Sequence, residues 1–126
     1  MADPTIKVRL GDLVNSVDIL SRINLIDTDC KTAIAIYENC KQVESEVKKF
    51  NDLKNAQILK YSGETGSIKD GDAGYDKVKK FVDELTESAV RVLMNPIGIE
   101  KFMHDESIKF KPIEFKILEL IGFIKA

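Results

Sequence analysis

The longest unbroken pattern in the chain runs from Thr28 to Tyr61, without a proline or a glycine. Within it Ile36, Cys40, Val43, Val47 and Phe50 recur at steps of four and three, while Glu38, Lys41, Glu44, Lys48 and Asp52 fall on the other faces. That spacing predicts a helix with one narrow apolar seam. Roughly 33 residues at about 1.5 Å each give about 50 Å. A body of this size cannot bury so long a rod alone, so part of it must lie along another helix. Tyr75 to Leu93 repeats the spacing with Val78, Val82, Leu85, Ala89 and Val92. The two seams predict an antiparallel helical hairpin over residues 28–94 with coiled-coil packing. Its second arm is shorter, about 20 residues or 30 Å. The N-terminal half of the first arm therefore needs cover from the first helix or from the C-terminal segment.

The flanking patterns are shorter. Ile6 to Leu10 alternates with period two, a strand with Ile6, Val8 and Leu10 on its buried face. Gly11-Asp12 then turns the chain, with Asp12 as helix cap, and Leu13, Val17 and Leu20 mark a first helix ending near Asn24. Asp27 or Thr28 caps the long helix, and Gly63 stops it. Residues 63–74 hold four glycines among charged residues, a connector with a turn at Asp70-Gly71 and Ile68 as its anchor. Asn95-Pro96 ends the second arm. Ile97 and Ile99 suggest a second strand, and Ile108-Lys109-Phe110 a third. Pro112 opens a final helix whose face holds Ile113, Ile117, Leu120, Ile121 and Ile124, widened by Phe115 and Leu118. The whole reads as a single domain over residues 1–126 of mostly helical α+β class. A head (1–27 and 95–126) of two or three short strands and short helices carries the projecting hairpin.

Composition bounds the function. With 44% hydrophobic and 32% charged residues, the chain is a folded protein rather than a disordered one. A formal charge of -2 with mixed signs argues against nucleic-acid binding, which needs uncompensated cations. No apolar run approaches about 18 residues, so no membrane span is expected. The first residues lack the basic and apolar segments of a signal peptide. Cys30 and Cys40, roughly 15 Å apart on one helix, are too distant to pair within the chain. Reduced thiols and a cytoplasmic location follow, in the host cell if the chain is phage-encoded.

Three segments stand out together: Ile58-Leu59-Lys60-Tyr61-Ser62-Gly63-Glu64, Asp70-Gly71, and Phe110-Lys111-Pro112-Ile113-Glu114-Phe115 leading into Leu118-Glu119. With them the chain resembles a family of small bacteriophage-encoded proteins of unknown function. The order of elements is similar over most of the chain, although Lys111 stands where that family tends to place a threonine cap. The resemblance implies a fold and an origin, and no activity.

Candidate chemistry is sparse. His104-Asp105-Glu106 lacks a second His or a nearby Cys to complete a metal set, and reads as a surface turn. Gly63-Glu64-Thr65-Gly66-Ser67 lacks the Gly-Lys-Ser/Thr ending of a phosphate-binding loop. Lys48-Lys49 and Lys77, Lys79 and Lys80 are interleaved with acids and read as solvated faces. No catalytic residue, cofactor or metal ligand is expected. The C-terminal third, however, is more apolar than a small head requires. Phe115, Leu118, Ile121 and Phe123, with Val43, Val47 and Phe50 of the seam, are the candidate contact residues for a protein partner. The expectation is a non-enzymatic, homo-oligomeric interaction or assembly protein. Its alternative is an inhibitor or adaptor that binds one host protein.

Overall fold

The computed structural model describes residues 5–62, 68–103 and 108–125. Strand β1 (Thr5–Arg9) leads directly into helix α1 (Leu10–Ile23), followed by the long α2 (Cys30–Ser62) and α3 (Tyr75–Glu87). Strands β2 (Ala89–Leu93) and β3 (Ile97–Gly98), the short α4 (Glu100–Met103), α5 (Pro112–Leu120) and β4 (Ile124–Lys125) complete the order. The class is mostly helical α+β with two small two-stranded sheets, as the patterning predicts.

The second arm of the hairpin is shorter than its sequence pattern. It ends at Glu87, and Ala89 to Leu93 form β2, antiparallel to β1 with Val8 opposite Val90. Ala89 and Val92 fit a helical step of three, but Val90, Val92 and Met94 equally fit a step of two. β-Branched residues favour the extended form, and the waiting edge of β1 decides. Val92 and Met94 are buried and Val90 half-buried, while Ala89, Arg91 and Leu93 point outward.

No turn separates β1 from α1. Leu10 starts the helix and donates its N–H to the Ser88 carbonyl at 2.8 Å. Gly11 lies inside the helix because α1 meets α3 there: a Cβ on Gly11 would stand 2.5 Å from Thr86 Cγ2. Asp12 is no cap. It pairs with Arg9 at 3.0 Å, and Arg9 reaches Glu87 at 2.6 Å.

The cap of α2 is Asp29 rather than Asp27 or Thr28. Its carboxylate accepts from the Thr32 N–H at 3.0 Å and the Thr32 hydroxyl at 2.7 Å. Those two bonds, the hydroxyl first, hold the Asp29 carboxyl below its ordinary range. Along α2 the expected seam is present, with Ile36, Cys40, Val43 and Phe50 buried and Val47 half-buried. The shorter helices share its length. α1, of 14 residues, covers the N-terminal half, where Cys40 Sγ lies 3.6 Å from Asn24 Oδ1. α3, of 13 residues, covers the far half, and Gly74 (φ +85) caps its start against the Tyr61 ring. The first helix thus provides the expected cover. Ile68 is half-buried and Gly71 (φ +96) makes the Asp70-Gly71 turn, whereas Gly63–Ser67 lies outside the described residues.

At the C-terminal end, Ile108-Lys109-Phe110 is not a strand. The Lys109 carbonyl instead accepts from Arg22 at 2.7 Å, and the guanidinium lies over the Phe110 ring. α5 stops at Leu120, not Ile124. Phe123 N–H bonds to the Leu118 carbonyl at 2.9 Å and Gly122 N–H to Glu119 at 3.0 Å, the Schellman termination with glycine at φ +76. The turn buries Phe123 and brings β4 parallel to β3, with Ile97 opposite Ile124. Side chains from both ribbons, α1, α2 and α5 form one apolar core.

Candidate interaction surfaces

The seven candidate contact residues divide sharply. Leu118, Ile121 and Phe123 have 0% exposure, and Val43 and Phe50 are also buried. Val47 and Phe115 are half-buried against the same core. Five of the seven therefore have almost no surface to offer a partner, and the expectation for them is corrected. The turn at Gly122 explains it. A straight helix to Ile124 would show apolar side chains on a wide arc, whereas the reversed chain drives Leu118, Ile121 and Phe123 into one interior.

Exposed apolar side chains lie elsewhere. On α2, Ile34 is 52% and Tyr37 61% exposed, on the side opposite the seam. With Cys30 and Lys41 they form a stripe spaced four, three and four. A groove of about 550 Å³ runs beside it, bordered by Lys31, Ile34 and Glu38 on α2 and by Pro96 to Gly98 and Lys101 opposite. Beyond Glu38 a second groove of about 460 Å³ separates α2 from Leu93 and Met94.

The floor between α2 and β2 is held by a polar clip. Asn39, 1% exposed, donates from Nδ2 to the Asn95 carbonyl at 2.9 Å and accepts the Asn95 N–H at 2.8 Å. Gln42 accepts the Leu93 N–H at 3.4 Å. Since Leu10 N–H bonds to Ser88, strand alternation turns the N–H of Leu93 away from β1, toward α2. Sequence reasoning misses Asn39, though a signal exists: an amide between Ile36 and Val43 on a buried seam must find partners.

A second polar clip joins α1 to α5. Arg22 bonds to both carboxylate oxygens of Glu114, and Glu114 also accepts the Lys111 N–H at 2.7 Å. The Arg22 bond first, then that backbone N–H, holds the Glu114 carboxyl below its usual range. Pro112 and Glu114 thus open α5 as expected, with Glu114 tied to Arg22 as well.

The thiols differ. Cys30 is exposed, whereas burial first, then the charge of Glu44, pushes Cys40 up to about 11. Both are free. Lys48 pairs with Asp52 and Lys49 with Glu46, the solvated pattern expected of those lysines. Among the described residues no group of three or more His, Cys, Asp and Glu side chains could hold a metal ion. His104-Asp105-Glu106 lies outside them. Comparison with protein-family models, curated proteins and solved structures finds no match. No helix of the described residues is long and apolar enough to cross a membrane.

Proposed function

We propose that the chain is a non-enzymatic interaction or assembly protein of phage origin that works in the cytoplasm through an exposed helix face and self-association. The observation that carries this reading is the placement of Ile34 and Tyr37. Both are more than half exposed on α2 while the opposite side of the helix already fills the core. Apolar side chains in register on the outside of a rigid helix lose water-exposed area when a protein covers them. The free thiols accord with the cytoplasm, and the resemblance to small phage proteins with the origin. Size-exclusion chromatography with light scattering tests the reading. A mass above that of one chain, 14.2 kDa, rising with concentration, is expected. A mass fixed at one chain up to millimolar concentration would refute self-association.

A further inference from the structure

Resting on that self-association reading, we infer that the Cys30-Ile34-Tyr37-Lys41 stripe of α2 is an antiparallel contact between two copies of the chain. The spacing of four, three and four is that of a short coiled-coil seam. All four side chains are exposed, on the face turned away from Ile36, Val43 and Phe50. A second copy laid antiparallel with Ile34 against the partner's Tyr37 puts Tyr37 against the partner's Ile34. The same register puts Cys30 against the partner's Lys41.

Charge selects a second copy as the occupant. Lys31 and Glu38 each follow a stripe residue by one position and flank the same side of it. In an antiparallel pair like flanks meet, so Lys31 faces the partner's Glu38 and the two-fold axis repeats the pair. A parallel pair would instead turn Lys31 and Glu38 toward the partner's opposite flank, at Ala33, and leave both without a charged partner across the seam. The groove of about 550 Å³ bordered by Lys31, Ile34 and Glu38 gives the partner's Tyr37 ring room beside Ile34. The Lys41 ammonium lies 5.2 Å from its own Tyr37 ring, leaving the Lys41 stem to cover the partner's Cys30. A contact of about three turns is small, so the dimer is weak and concentration-dependent.

Sedimentation equilibrium of the full chain over a range of concentrations tests this, with circular dichroism confirming that each surface variant keeps its fold. The wild type shows a monomer–dimer equilibrium, and Ile34→Glu is monomeric where the wild type is mostly dimeric. Lys31→Glu weakens the dimer about tenfold, since two attractive pairs become repulsive. The double variant Lys31→Glu/Glu38→Lys restores the affinity to within about threefold, because the pairs re-form with signs exchanged. On oxidation, Lys41→Cys yields a disulfide-linked dimer that Cys30→Ser abolishes. Positions 30 and 41 of one helix, about 16 Å apart, cannot join each other. A wild-type dimer indifferent to Ile34→Glu and Lys31→Glu overturns this surface and leaves self-association standing. A covalent Lys41→Cys dimer that survives Cys30→Ser overturns the register. A strictly monomeric wild type leaves the stripe to a different protein, and both readings fall.

Discussion

The side chain of Asn39 hydrogen-bonds both the carbonyl and the N–H of Asn95, at 2.9 and 2.8 Å, as a neighbouring strand would. A residue of the long helix thus completes the pairing of the chain where β2 gives way to β3. Replacing it by leucine keeps the branched heavy-atom shape and removes both hydrogen bonds to the Asn95 backbone. Asn39→Leu should cost about 1–3 kcal/mol, read from urea unfolding. Asn39→Asp should cost more, because a carboxylate oxygen would then face the Asn95 carbonyl. An unchanged unfolding midpoint in both would show the clip to be energetically idle.

The Arg22–Glu114 pair predicts an acid-sensitive attachment of α5. A carboxyl whose value is lowered on folding stabilises the fold fully above its unfolded value, and the effect disappears as pH falls through the lowered one. Thermal unfolding from pH 7 to pH 2 should therefore show a steeper acid decline for the wild type than for Glu114→Gln. The variant should be less stable than the wild type at pH 7 and should approach it at pH 2. Parallel curves would refute the coupling.

Two glycines predict steric costs of different kinds. Gly11→Ala places a methyl against Thr86 Cγ2 and should cost about 1–3 kcal/mol. Thr86→Ser removes that methyl group and keeps the hydroxyl that donates to the Val82 carbonyl, so it should recover part of the loss. Gly122→Ala combines a positive φ with a clash on Ile6 Cδ1, and should cost at least as much with no such rescue. Chemical denaturation of the three variants and the double variant checks both.

The thiols predict biphasic labelling. One thiol per chain, Cys30, should react with a maleimide within seconds at pH 7.5. Cys40, buried and pushed up to about 11, should react only as the chain opens. Mass spectrometry of the singly labelled species checks the assignment, and equal rates would contradict the burial of Cys40.

Much of this fold is legible in the sequence where one period dominates. The seam from Ile36 to Phe50 has no competing reading, and α2 follows it nearly to the residue. Legibility fails where two periods share the same residues. Ala89 to Leu93 satisfies helix and strand alike, and only the edge of β1, more than eighty residues away, decides between them. It fails again at Gly122, where the glycine signals a stop but the apolar run continues beyond it. A helix extended to Ile124 places Leu118 and Ile121 on an outward arc, whereas the turn at Gly122 makes them core. The stripe through Ile34 and Tyr37 was hidden for another reason. Four apolar or part-apolar positions among charges do not stand out until the opposite face of α2 is known to be filled.

Because β1 pairs with β2 across an interval of 88 residues, Thr5 to Leu93, the chain cannot close its first strand early. A nascent chain that has emerged only as far as α3 holds Val8 and the inner side of α1 without their lid. During that interval those apolar side chains stay open to water and to other chains. The time needed to synthesise the intervening residues, on the order of 4–18 s at roughly 5–20 residues per second, then sets how long the growing chain stays vulnerable.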